Sequence, residues 1–357
     1  MRLDDLGEFP LIARLTAGLE SRPDVALGPG DDAAALDLGD GTLLLATCDA
    51  LVEGAHFLSS VSSPEEIGHQ ALAVNLSDIA AMGGEPCWAL VSLITPPTLE
   101  VARLEGVYAG MRALARRFSV AIVGGNVAAS DGPLTIDITL LGRVARERMM
   151  TRAGAQPGDQ LLVTGRLGAS VAALLAYTAA PERNDIPAEA LAEARGALAT
   201  PEPRVREGMA LAASGQVTAM LDVSDGLAGD LGHLCERSGV GAVVELAALP
   251  VDAATRALAL ALGRDPLRHA LSGGGDYELL FTARPTGVAA ALAALRAVGA
   301  HATVIGEITS PERGLRVREA NGALTPLVPS GWDHLRRDAA TSVAPASDNP
   351  AGPNGVS

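Results

Sequence analysis

Short apolar strands interleaved with capped helices, on both sides of a polar stretch at 145–158, restrict this chain to a two-domain α/β (α+β) architecture. The run TLLLAT (42–47) reads as a buried strand ending in Cys48 and Asp49. Ser63, Pro64 and Glu66 have the signature of a helix start, with an N-cap hydroxyl, proline at the first helical position and a glutamate closing a capping box. That helix is expected to run to about Met82, where Gly83 and Gly84 stop it, with Ile67, Ala71, Val74 and Met82 on its core face. A second helix is expected over 98–118, with Val101, Leu104, Tyr108, Met111 and Phe118 near one face. Strands at 120–123, running into Gly124-Gly125-Asn126, and at 134–141 complete the first half.

The second half repeats the mixture. Strand 160–165 is followed by a helix near 168–178, an Ala/Pro/Glu-rich excursion over 180–202 and a helix at 203–214. Strand 217–224, a helix opened by Gly226, and strands near 242–246, 277–282 and 301–306 follow. The boundary is placed at 148/149, which gives domains of 1–148 and 149–337. Residues 338–357 lack apolar periodicity and are expected to form a disordered tail.

Composition removes whole classes of chemistry. All 27 basic residues are arginine, and no lysine occurs anywhere in 357 residues. A Schiff-base lysine, a P-loop lysine and the strand lysine of protein kinases are therefore all excluded. A net charge of −15 argues against nucleic acid as a partner. Three cysteines without a CxxC indicate neither a disulfide framework nor a zinc site. The acidic amino terminus and apolar stretches no longer than Val171 to Ala180 point to a cytoplasmic protein without a membrane partner.

The chemistry must then come from carboxylates, glycines and arginines. Gly28-Pro29-Gly30-Asp31-Asp32 reads either as a surface turn or as a loop that meets phosphate through a cation. Asp49 sits at a strand end, where α/β proteins place ligand groups, although a turn cap is the plainer reading. Asn75 and Asp78, three apart on the first helix, share one side, either as a hydrogen-bonded core edge or as a ligand pair. Asp222-Val223-Ser224-Asp225-Gly226 is more specific: two carboxylates and a hydroxyl at a strand-to-helix turn suit a hard cation such as Mg²⁺, or a simple Asp-Gly turn. Ser272-Gly273-Gly274-Gly275-Asp276 is a glycine run before a strand, and Arg143 and Arg152 are compatible with phosphate. His56 and Trp332 each read alone as structural. No GxSxG and no Cys–His motif is present.

Taken together, GPGDDAA (28–34), TCDALVEGAHF (47–57), VNLSDIAAMGG (74–84), GGN (124–126), TRAGAQPGD (151–159), DVSDGL (222–227), SGGGDYELLFT (272–282) and GWDH (331–334) resemble the thiamine-monophosphate kinase family of the AIR-synthase-like superfamily. The order holds over roughly residues 3 to 337. This resemblance implies a two-domain AIR-synthase-like fold of mixed sheets with helices packed on one face of each. It implies ATP-dependent conversion of thiamine monophosphate to thiamine diphosphate with several Mg²⁺ ions, in a homodimer with nucleotide near the interface. Metal ligands would fall at Asp32, Thr47, Asp49, Asp78, Asp222 and Asp225. ATP contacts would fall at Tyr108, Gly125, Asn126, Arg152 and Ser224, and substrate contacts at His56, Gly275 and Trp332. The chain departs from the family pattern at Asn126, usually aspartate, and at Gly275, usually glutamate. The first keeps a carbonyl ligand without charge, and the second keeps no side chain.

A phosphate acceptor is largely dianionic at neutral pH and needs no general base. Trp332 is expected to stack on the cationic thiazolium. Two other readings stay open at this stage. One is a different ATP-using enzyme of the superfamily, and the other is a non-catalytic binder of nucleotide or thiamine phosphate.

Overall fold

The computed structural model describes residues 2–179, 183, 185–329, 331, 332 and 335. The expected tail at 338–357 lies outside these described residues, as do Asp333 and His334 of the GWDH motif. No described helix is long and apolar enough to cross a membrane.

The first sheet has six strands: β1 (Val25–Leu27), β2 (Ala34–Asp37), β3 (Thr42–Val52), β4 (Glu85–Thr95), β5 (Ala121–Ala129) and β6 (Thr135–Ala145), in the order β1-β2-β3-β6-β4-β5. Pairing is antiparallel except between β4 and β5. The second has seven: β7 (Gln160–Thr164), β8 (Val217–Val223), β9 (Gly241–Glu245), β10 (Glu278–Ala283), β11 (Ala302–Thr309), β12 (Leu315–Arg318) and β13 (Leu324–Pro326), in the order β13-β12-β9-β11-β7-β10-β8.

One helix organises both halves. Pro64–Ala81 starts as the sequence dictates: the Ser63 side chain accepts from Glu66 N, and Ser63 N donates to the Glu66 carboxylate. Its predicted stripe Ile67, Ala71, Val74 and Met82 is buried, but so are Gln70, Asn75 and Ser77. Burial on nearly every side follows from its position between the two sheets. Leu43, Leu45, Val91, Ile136 and Ile138 of the first sheet share one apolar core with Leu162, Met220, Leu279 and Phe281 of the second. The opposite side of the second sheet, with Leu161, Val163, Leu221 and Leu280, packs on Leu227, Leu231 and Leu234 of the Leu227–Ser238 helix. Where the Pro64–Ala81 helix meets Val205–Ser214, a Cβ on Gly208 would lie 2.1 Å from the Ala80 carbonyl oxygen, so the two backbones touch directly.

Several elements differ from the expectations. β4 passes unmarked in the sequence because Glu85, Pro86 and Trp88 break its apolar run. The Gly124-Gly125-Asn126 segment is not a loop after a strand but lies inside the edge strand β5. The excursion at 180–202 contains the Ala188–Ala199 helix. The second helix, Val101–Arg117, begins with an exposed Val101, which the helical period had assigned to the core face.

Candidate active site

Asp32, Asp78 and Asp222 come from a turn, a helix and a strand separated by up to 190 residues, and their carboxylate oxygens lie within 4.8 Å of one another. Asp32 follows the Gly28–Asp31 turn before β2. Asp78 lies on the Pro64–Ala81 helix, and Asp222 sits near the end of β8. Three like charges so close disfavour one another. Burial first, and then Asp49, Asp222 and Asp32, push the Asp78 carboxyl well above the ordinary range. Burial and Asp32 raise Asp222 to about 7. Asp32 itself is raised by burial against the opposing pull of Arg152.

Side chains from both domains hold this cluster. Thr47 Oγ1 donates to Asp78 Oδ2 at 2.5 Å, and Ser77 Oγ donates to Asp222 Oδ2 at 2.6 Å. Asp49 N donates to Asn75 Oδ1, which ties β3 to the helix. The Arg152 guanidinium donates to Asp32 Oδ1 at 2.6 Å, and its main-chain N–H donates to both oxygens of Asp31. Burial and Asp32 raise Asp31 to about 6. Asp225 N and Gly226 N donate to Asp230, a buried acid whose carboxyl is pushed well up by burial and by Asp225.

The donor set fits a hard cation. Asp32 Oδ2 is buried and has no hydrogen-bond partner among the described residues. Carboxylate oxygens, with the Thr47 hydroxyl beside them, are the ligands Mg²⁺ prefers. A cation there would relieve the mutual repulsion and use the orphaned oxygen.

The loop before β10 borders the same segment. Gly275 N donates to Ser224 O at 2.7 Å, Tyr277 N donates to Val223 O, and Trp332 N donates to Asp225 O. Tyr277 has φ 50°, one of two non-glycine residues with positive φ among the described residues. Its phenol is pushed well up by burial and by Asp49, Asp222, Asp225 and Asp78. His56 lies in the turn after β3, where Val52 N donates to its Nδ1 and so fixes the ring proton on Nε2.

Three expected nucleotide contacts stand apart from this cluster. Gly125 and Asn126 lie on edge strand β5, opposite Val91 and Ser92. A Cβ on Gly125 would sit 1.8 Å from Val91 O, so glycine is required there. Tyr108 packs on the first core from the Val101–Arg117 helix. In sheet order Gly125 is separated from Asp49 by the two intervening strands β6 and β4, through Ile138 and Val91. Arg143 is drawn off to Glu85 on the surface.

Sequence reasoning missed Ser77, Asp230 and Tyr277. Ser77 and Asp230 look like ordinary helix positions, and only chain closure sets them against the acids. A signal for Tyr277 was available, since a glycine run leading straight into a strand demands unusual backbone angles.

Comparison with known proteins matches residues 30–144 to the family "AIR synthase related protein, N-terminal domain" and residues 156–317 to "AIR synthase related protein, C-terminal domain". A curated thiamine-monophosphate kinase from Escherichia coli (strain K12) is 38% identical over 332 residues, which cover 92% of this chain and 98% of that protein. One from Mycobacterium tuberculosis (strain ATCC 25618 / H37Rv) is 39% identical over 279 residues, 78% of this chain and 81% of that protein. A solved structure described as AaThiL complexed with AMPPCP and TMP superposes with a TM-score of 0.80 at 34% identity, covering 94% of this chain and 99% of that one.

Proposed function

This chain belongs to the thiamine-monophosphate kinase family, and we propose that it transfers the γ-phosphoryl group of ATP to thiamine monophosphate, giving thiamine diphosphate and ADP. A terminal phosphate oxygen of the substrate attacks the γ-phosphorus, and the bond from that phosphorus to the β–γ bridging oxygen breaks. The convergence of Asp32, Asp78 and Asp222 beside Arg152 is the observation that carries this reading. Donor and acceptor are both anions, so a site for this reaction has to gather positive charge.

Asp32, Asp49, Asp78, Asp222 and Asp225, with Thr47, would hold Mg²⁺, which when bound supplies that charge. Arg152 is the cation the chain provides itself, and pairing with Asp32 keeps it oriented while the site is empty of phosphate. Arg152 and Ser224 bind the triphosphate together with Tyr108, Gly125 and Asn126. Asn126 offers a carbonyl oxygen and no charge. His56, the Gly275 loop and Trp332 receive thiamine monophosphate, with Trp332 stacking on the thiazolium.

The protein acts as a homodimer. Trp88, Leu90 and Ile94 of β4 and Val123 and Val127 of β5 leave an apolar strip exposed on the outer face of the first sheet, and a second copy would cover it. Tyr108, Gly125 and Asn126 belong to this part of the fold, so the nucleotide lies near the dimer interface. The domains divide at 148/149, between β6 and β7. With ATP as donor, the enzyme works in the cytoplasm.

The test is to incubate the protein with ATP, Mg²⁺ and thiamine monophosphate and to resolve the products by chromatography. Thiamine diphosphate is expected. Its absence in a protein that still binds ATP overturns the kinase reading in favour of a binder.

A further inference from the structure

The two acids of the DVSDG segment are held in different ways. Asp222 is still inside β8, opposite Leu279 of β10, and Ser77 bonds its carboxylate. Asp225 stands two residues past Val223, where β8 ends. The ladder of the sheet therefore does not reach it, and its place is set by the turn that leads into the Leu227–Ser238 helix. Gly226 in that turn has φ +120°, a conformation that strains any residue with a side chain.

The carbonyls of the turn are taken by neighbouring segments, Ser224 O by Gly275 N at 2.7 Å and Asp225 O by Trp332 N at 3.0 Å. Its amides converge on a single atom. Asp225 N and Gly226 N both donate to Oδ2 of Asp230, at 3.2 and 3.0 Å. Asp230 lies in the first turn of the helix and is only 4% exposed. Its own N–H donates to Gly226 O at 3.0 Å, so the main chain and the side chain of one residue grip the same turn. Without that oxygen the turn would relax, since two N–H groups at a largely buried site would lose their partner.

We propose that Asp230 is a positioning residue for the metal: by holding the amides of Asp225 and Gly226, its Oδ2 fixes the turn that carries the Asp225 carboxylate. The inference rests on the reading of Asp225 as a Mg²⁺ ligand and needs no assumption about the phosphoryl acceptor. Asp230 acts through the backbone, as an outer partner that orients a ligand, and such partners contribute about 10–100-fold to metal affinity. The Asp32–Asp78–Asp222 group has its own supports in Arg152, Thr47 and Ser77. Loss of Asp230 is therefore expected to reach the metal through Asp225.

The experiment measures Mg²⁺ binding to the full chain and its variants by calorimetry, with a non-hydrolysable ATP analogue present and thiamine monophosphate left out. Asp230→Ala is expected to weaken Mg²⁺ about tenfold or more. Asp230→Asn keeps an accepting oxygen in the same place and should restore binding close to that of the wild type. The double variant Asp225→Asn/Asp230→Ala should bind no worse than Asp225→Asn alone, because both changes act on one ligand. Wild-type affinity in Asp230→Ala, beside a weakened Asp225→Asn, overturns the proposal. An equal loss in Asp230→Asn overturns it too, because the effect would then belong to the charge and not to the hydrogen bonds. Losses that add in the double variant do the same, as the mark of a general loss of structure. Where Asp230→Ala does not fold, Asp230→Glu takes its place: it keeps the charge but displaces the oxygen, the same loss is expected, and wild-type affinity overturns the proposal. Wild-type affinity in Asp225→Asn would defeat the ligand reading itself, and the role of Asp230 with it.

Discussion

Ser77 on the central helix donates a 2.6 Å hydrogen bond to Asp222 at the end of β8, joining the two domains at the acid cluster itself. The bond favours the ionised form of Asp222 against burial and Asp32, which drive its pKa up. Ser77→Ala should weaken Mg²⁺ activation about tenfold or more, as loss of an outer-shell partner does. Titration of turnover against Mg²⁺ measures it, and an unchanged half-saturation point would count against the role given to Ser77.

Asp78→Asn removes one of three crowded charges. If Asp78 holds Mg²⁺ as proposed, activity should fall by more than the ~10–100-fold that follows loss of a residue that only orients a ligand. The metal-free protein should become more stable at pH 8, because the amide no longer repels Asp222, Asp49 and Asp32. Thermal melts in EDTA, run beside activity assays, separate the two effects; wild-type turnover would refute the ligand assignment.

The pH dependence of the metal-free protein follows from the same cluster. Asp222, raised to about 7, and Asp78, also raised well above the ordinary carboxylate range, hold protons in the folded state that the unfolded chain has already released. Their contribution is therefore favourable at low pH and is lost as pH climbs from the usual carboxylate range through 7 and above. Mg²⁺ should restore stability where the protons have left, so its effect on Tm should be larger at pH 8 than at pH 5. Equal shifts at both values would contradict this.

Glu278→Gln breaks a buried pair. Glu278 accepts two bonds from Arg204, at 2.6 and 2.7 Å, and its loss leaves a largely buried guanidinium with only the longer 3.6 Å contact to Glu207. A cost of about 3 kcal/mol is expected in urea unfolding.

Val127→Asp places a charge on the exposed apolar strip of β5. Light scattering should show a monomer in place of a dimer, with nucleotide affinity reduced. A variant that still scatters as a dimer would move the interface elsewhere.

What could be read in advance was local. The Ser63 cap and the proline behind it fix where the central helix begins, and period-two alternation marks β6, because these signals lie within a few residues of one another. Asp225-Gly226 announces a turn into a helix for the same reason. β4 escaped because the polar and aromatic residues at its start hide the pattern, and an edge strand with two glycines, as in β5, reads like a loop. At the site, the GDD turn, Asp78 and the DVSDG segment stand out as residues, but their convergence is tertiary. Ser77 acquires meaning only when β8 arrives 145 residues later.

The backbone contact between Gly208 and Ala80 leaves the seam between the domains without slack. A crossing that admits no methyl group cannot serve as a sliding joint. The acids anchored on either side of it are thus braced by direct backbone packing. The segments carrying Gly275 and Trp332 are tied by main-chain hydrogen bonds to Ser224 and Asp225, so they too are anchored to this braced frame.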